Sequence, residues 1–201
     1  MNARSTLRQY GTALRAVVVA TLVLGVAYTL VVTAVGQLAV GHRANGSEVE
    51  VDGQVVGSSL IGQSFTDDDG AALPEWFQSR PSAAGDGYDA SASSGSTWGP
   101  EAPDLIAAIE ERRAAVAESD GVDPASVPVD ALTASASGLD PHVSPEYARE
   151  QVERVAAARE LPVAEVRELV EQHVQGRDLG YLGEPTVNVL ELNVALAELG
   201  R

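Results

Sequence analysis

The run AVVVATLVLGVAYTLVVTAVGQLAVG, residues 16–41, contains no charged residue. At 1.5 Å rise per residue a helix of this length reaches about 39 Å, enough to cross a hydrocarbon core of about 30 Å with some tilt. Of the 201 residues, those outside the run amount to one soluble domain at the usual roughly 100–200 residues per domain. A cleaved signal peptide is the competing reading, because Arg4, Arg8 and Arg15 form a basic start and Ala34-Val35-Gly36 is a small-x-small site. A signal core is only about 7–15 residues long, so the greater length favours a retained anchor. Either reading exports the remainder.

Charge on either side of the run sets an expected orientation. Three arginines precede it and only His42 and Arg43 follow closely, so the positive-inside bias leaves residues 1–15 in the cytoplasm, 16–41 as a transmembrane helix and 42–201 outside the plasma membrane. The outer part holds all 29 acidic residues and ten of the thirteen arginines, hence a formal charge of about −19. Such a surface repels nucleic acid and enriches cations nearby. There is no cysteine, so the exported part relies on an ordinary core rather than on disulfides. There is also no lysine, and a Walker A phosphate loop, which requires one, cannot be written in this chain.

Within 42–201, Glu48-Val49-Glu50-Val51 and Gln54-Val55-Val56 flank Asp52-Gly53, the pattern of a β-hairpin. Residues 59–65 read as a further strand, bounded by a turn-like stretch from Thr66 to Gly70. Residues 82–99 are rich in Ser, Gly and Ala without apolar period and read as an irregular surface segment. Helical spacing then returns after Pro103 (Leu105, Ile106, Ile109, Val116), after Ser144-Pro145 (Ala148, Val152, Val155, Ala156), after Pro162 (Val163, Val166, Leu169, Val170, Val174) and after Pro185 (Val189, Leu192, Leu196, Leu199). Ser144 supplies an N-cap and Pro145 fits the first turn. Strands first and helices later predict a small α+β domain behind a single transmembrane helix.

Thr21, Gly25, Thr29, Thr33 and Gln37 recur every four residues in the apolar run. Small, weakly polar residues at that spacing let a second helix approach closely and offer it hydrogen bonds, although threonines in a lone anchor bond their own helix instead. Asp140 and His142, with Ser135 and Ser137 upstream, raise the idea of a serine nucleophile or a metal site. No orienting group or third ligand is visible, and a structured turn over Gly138 to Pro141 is the better reading. Asp67-Asp68-Asp69-Gly70 lacks the alternation and distant glutamate of a calcium loop and reads as an acidic turn.

Several stretches together resemble one family: ANGS (44–47), GSSLIGQSF (57–65), WFQSRPS (76–82), VPVD (127–130), LTASASGLDPHVSP (132–145), the Gln151-Val152-x-Arg154-Val155-Ala156 segment and GEPTVNVLELNVAL (183–196). In this order they are similar to the C-subunit family of the Kdp-type ATP-driven potassium pump. Ser96-Thr97-Trp98 departs from that family's usual Ser-Asn-Leu. The resemblance implies an accessory, non-catalytic subunit of a complex with a channel-like KdpA subunit, a P-type ATPase subunit KdpB and a small KdpF subunit. Such a subunit serves as a catalytic chaperone or assembly factor in potassium import. The family's proposed contact with ATP falls near Gln151, and ATP is otherwise implied only through the ATPase subunit, with no cofactor held stably. An extracytoplasmic domain cannot touch cytoplasmic ATP, so the charge-based orientation argues against that contact. Arg80 is expected either to meet a carboxylate across an interface or to anchor its own loop, and Asn188 and Asn193 to be structural hydrogen-bonders. A stand-alone membrane-anchored extracytoplasmic binding protein is the alternative of a different class.

Overall fold

A computed structural model describes residues 3–67 and 70–199; Asp68 and Asp69 of the expected acidic turn lie outside them. The chain divides into two compact units, the first ending at Ser47 and the second beginning at Glu48.

The first unit is one long helix. Helix α1 (Ala3–Ala20) runs into a π-helical stretch (Thr21–Ala27) and on into α2 (Tyr28–Ala44). Thr6–Ala44, 39 residues, is long and apolar enough to cross a membrane. Near its end Val40 leaves helical geometry (φ −143°, ψ 46°). A reciprocal amide pair bridges that kink: Gln37 Nε2 donates to Asn45 Oδ1 at 3.0 Å and Asn45 Nδ2 to Gln37 Oε1 at 3.2 Å. Asn45 Nδ2 also donates at 2.8 Å to the Gly41 carbonyl, which accepts from the Asn45 N–H as well.

The second unit is α+β. Strands β1 (Glu48–Val51) and β2 (Gln54–Ser58) form an antiparallel hairpin with Val51 opposite Gln54. Asp52 (φ 53°) and Gly53 (φ 78°) both take the left-handed conformation that a two-residue hairpin turn needs. Residues 59–65 do not continue the sheet; the chain turns there, and an isolated bridge, Thr66 to Ala72, follows.

Helices follow: α3 (Pro103–Asp120), α4 (Val129–Leu132), α5 (Pro145–Glu150), α6 (Val152–Arg159), α7 (Val163–Gln172) and α8 (Val189–Leu199). Pro103 opens α3 and Gly121, at φ 69°, closes it, the usual asymmetry of proline at the start and left-handed glycine at the end. Ser144 Oγ accepts from the Tyr147 N–H at 3.1 Å at the start of α5. The helix expected to run on from Ser144 is broken at Gln151 into α5 and α6. The last helix starts at Val189 rather than straight after Pro185, because Thr186–Asn188 form a strand.

That strand, β5 (Thr186–Asn188), lies between β3 (His142–Val143) and β4 (Val174–Gln175), antiparallel to both. Around it Phe77, Val152, Val155, Val166, Val170, Val187, Leu192 and Leu196 are almost completely buried. The stripe expected on α3 is weaker: Ala117 is its buried residue and Ile106 is exposed.

Candidate functional site

The segment from Trp76 to Ser82 has no regular secondary structure, yet side chains and carbonyls from other parts of the chain hold nearly every residue. Phe77 is buried in the core. Its N–H donates to Asn193 Oδ1 and its carbonyl accepts from Asn193 Nδ2, both at 2.9 Å. The next residue repeats the arrangement with another partner: the Gln78 N–H donates to Gln151 Oε1 at 2.6 Å and the Gln78 carbonyl accepts from Gln151 Nε2 at 3.2 Å. Two side-chain amides thus stand in for a neighbouring strand, satisfying backbone groups that would be costly to bury unpaired.

Gln151 is completely buried because the α5–α6 break turns its side chain inward. Its Oε1 also accepts from Arg154 Nη2 at 2.6 Å. Arg154 in turn donates to the carbonyls of Pro74 (2.6 Å) and Trp76 (3.0 Å) and to Asp120 Oδ1 at 2.5 Å. The Arg154–Asp120 pair is almost wholly closed to solvent. Arg159 donates to the Glu75 carbonyl at 2.7 Å and lies 4.1 Å above the Trp76 ring, a cation–π contact.

Arg80 pairs with Asp140 at 3.0 Å and donates to the Thr133 carbonyl at 3.3 Å, so within this chain it anchors its own loop. Asp140 Oδ1 accepts from the His142 N–H at 3.0 Å, with His142 Nδ1 at 3.4 Å. Burial works against ionisation of Asp140, but the bonds from His142 and the charge of Arg80 outweigh it and hold the carboxyl below its ordinary range. Ser82 Oγ donates to the Gly138 carbonyl at 2.6 Å and accepts from the N–H groups of Ala84 and Tyr88. The Tyr88 hydroxyl returns to the Arg80 carbonyl at 2.7 Å; burial pushes its pKa up to about 12.

Beside this strap a cavity of about 360 Å³ opens among Phe65, Arg80, Tyr88, Arg112, Val116 and Tyr147. On α5, Glu150 has one carboxylate oxygen that is buried without a hydrogen-bond partner among the described residues. Burial and the nearby charges of Asp120 and Asp130 raise its pKa to about 7.

Ser135 and Ser137 lie 3.5 Å apart, hydroxyl to hydroxyl, and among the described residues no hydrogen bond joins either to His142. Among those residues no group of three or more His, Cys, Asp or Glu is placed to hold a metal ion. Asn188 Nδ2 donates to the Ser59 carbonyl at 2.8 Å and its Oδ1 accepts from the Glu191 N–H at 3.1 Å. With Asn193 it bears out the structural role read from sequence. Arg154, the centre of the strap's hydrogen bonding, has no role readable from the sequence, since nothing local marks an arginine whose carbonyl partners lie some 80 positions upstream.

In the first unit, Thr21 and Gly25 fall in the π-helical stretch and Thr29 and Thr33 in α2. A four-residue step overshoots an α-turn by about 40°, whereas the wider π-turn falls short of closing, so the π stretch offsets part of the row's drift. The Thr29 hydroxyl donates to the Gly25 carbonyl at 2.9 Å. A Cβ added at Gly25 would meet only Thr21 Cγ2, at 3.9 Å.

The family model described as K+-transporting ATPase, c chain, matches residues 10–198. A potassium-transporting ATPase KdpC subunit of Kineococcus radiotolerans is 62% identical over 190 residues, covering 94% of this chain and 93% of the relative. One from Mycobacterium tuberculosis strain H37Rv is 50% identical over 194 residues, 96% and 99% of the two chains. One from Methylococcus capsulatus is 50% identical over 188 residues, 93% and 96% of the two. Matched nearly end to end in this way, and bearing a helix able to cross a membrane, the chain belongs to the KdpC family of potassium-transporting ATPase subunits.

Proposed function

We propose that this chain is the non-catalytic accessory subunit of an ATP-driven potassium uptake pump, assisting assembly and supporting ATP hydrolysis coupled to potassium import. Its single helix crosses the membrane with residues 1–15 in the cytoplasm, and the acidic domain stands on the outer side beside the channel-like subunit. The ATPase subunit binds and hydrolyses the ATP, and the small helical subunit completes the complex. The observation that carries this reading is the use made of the motif residues: Gln151, Arg154, Arg80 and Asn193 are all engaged in fixing one strap of their own domain. That is the pattern of a rigid accessory body rather than of a reaction centre. In this reading Gln151 acts on nucleotide affinity through the strap, and the row Thr21, Gly25, Thr29 and Thr33 packs against a neighbouring subunit's helix.

The test is gentle detergent purification of the chain from its native membrane under potassium starvation, with mass spectrometry of what accompanies it. Recovery of a P-type ATPase and a channel-like polytopic protein in fixed ratio is expected. Recovery of the chain alone, with those proteins present in the same extract, would instead point to a stand-alone anchored binding protein. Gly25→Leu addresses the row separately: its own helix has room for the first carbon of a side chain, so a loss of partners reports contact between helices.

A further inference from the structure

Between β4 and β5 the chain makes a short loop, Arg177 to Glu184, whose tip carries three large apolar side chains in the open. Leu179 is 82% exposed, Tyr181 69% and Leu182 48%. The loop is nonetheless built. Asp178 and Leu182 exchange backbone hydrogen bonds of 2.9 Å each way, Gly180 N–H donates to the Arg177 carbonyl at 3.0 Å and Tyr181 N–H to the Asp178 carbonyl at 3.2 Å. An ion pair between Arg177 and Glu184 closes its base. Leu179 is held in the left-handed region at φ 52°, an unfavourable conformation for a branched-chain residue with a Cβ. A folded domain rarely keeps a strained leucine aimed at water beside a second leucine and a tyrosine unless that patch is covered in use.

The surroundings indicate what covers it. The domain is strongly acidic, so an anionic lipid surface repels it. The tip itself, Leu179 to Gly183, is uncharged. Next to the loop's base a groove of about 340 Å³ runs past Arg80, Asp130, Asp140, His142, Glu184 and Thr186, with Asp140 paired to Arg80 and Glu184 to Arg177. An apolar, uncharged tip on a strongly acidic domain is complementary to a protein surface with an apolar socket and a basic rim. Because backbone bonds already fix the loop, little conformational entropy remains to be lost on docking.

We propose that the Leu179–Tyr181–Leu182 tip is a docking anchor that inserts into an apolar, basic-rimmed socket on another subunit of the pump. The inference rests on the accessory-subunit reading above and names a contact surface for it.

The experiment places the photo-crosslinking residue p-benzoylphenylalanine at Tyr181, at Gly25 in the membrane helix and at Glu118 on the exposed side of α3, each in the full chain in its native membrane. A covalent adduct with a pump subunit from position 181 and none from 118 is expected. An adduct with lipid alone at 181, or equal adducts at 181 and 118, overturns the anchor. If position 25 reaches a pump subunit while 181 does not, the anchor fails and the subunit reading stands; if neither does, both fail. The double substitution Leu179→Ser/Tyr181→Ser should lower retention of the chain in the detergent-washed complex about tenfold, the scale of losing a central interface anchor, with an unchanged thermal midpoint for the isolated full chain. Unchanged retention overturns the proposal.

Discussion

Asn193 and Phe77, 116 positions apart in sequence, exchange two hydrogen bonds of 2.9 Å between one side-chain amide and one backbone peptide pair. Both residues are buried. Asn193→Ala leaves an N–H and a carbonyl without partners in the core, and at about 1–3 kcal/mol for each buried group left unsatisfied the expected loss is several kcal/mol. Urea denaturation of the full chain in detergent should show it. Asn193→Asp keeps the acceptor but sets a buried carboxylate oxygen against the Phe77 carbonyl, so near neutral pH it should cost at least as much as the alanine variant. A loss below about 0.5 kcal/mol for the alanine variant would mean the strap is not held here.

Glu150 makes stability depend on pH near neutrality. Its pKa in the fold is raised from 4.5 to about 7, so the folded chain holds this proton more tightly than the unfolded chain does. Stability is therefore highest below the unfolded value, falls as pH rises from about 4.5 towards 7, and is flat above that window. Glu150→Gln should raise the thermal midpoint relative to the parent at pH 8, and the difference should vanish by pH 4. Parallel curves across that range would contradict the burial argument.

Gly138 adopts φ 68°, and a Cβ there would lie 2.6 Å from the Ser94 carbonyl oxygen and 2.7 Å from the Ala84 nitrogen. Backbone cannot withdraw as a flexible side chain can, so Gly138→Ala combines conformational strain with a steric clash. A destabilisation of about 3 kcal/mol or more is expected. Gly53→Ala, at φ 78° but with open space around it, should cost only about 1 kcal/mol, the conformational part alone. Equal effects at the two sites would show that packing around Gly138 is loose.

The Arg80–Asp140 pair is partly exposed, with about a quarter of each side chain in solvent. A double-mutant cycle of Arg80→Ala and Asp140→Ala should therefore give a coupling of only about 1 kcal/mol. Asp140 is held below its ordinary 3.8, so its contribution is present above that value and is lost as pH falls further. The coupling measured at pH 7 should therefore hold down to 3.8 and shrink only as pH is lowered below it.

What the sequence made legible was local. Asp52-Gly53 announced its hairpin because both residues tolerate a left-handed backbone. Ser144-Pro145 announced a helix start because a cap and a ring-fixed φ act within one turn. Val152, Val155 and Ala156 repeat at helical spacing, and all three are fully buried. The strap was not legible as structure. WFQSRPS has no period, and its partners at 138, 140, 151, 154 and 193 are set only by the completed fold. The short strands at 142–143, 174–175 and 186–188 are below the length at which alternation can be seen. Residues 59–65 resembled a strand in composition, but the Gly62 N–H donates to the Leu139 carbonyl at 2.9 Å. A Cβ at Gly62 would lie 2.6 Å from the Asp140 carbonyl oxygen. Close approach to another backbone segment, rather than pairing in a sheet, fixes that stretch.

The Asn193 clasp also has a bearing on time. A ribosome makes Phe77 and Gln78 long before it makes Gln151, and Asn193 of α8 later still. Until then the peptide groups of the strap have water for company, and the segment between the hairpin and α3 is a tether awaiting its fastening. Residues synthesised 116 positions later are thus the ones that lock the strap. A nascent chain short of α8 would carry every residue of WFQSRPS and still lack the shape those residues exist to keep.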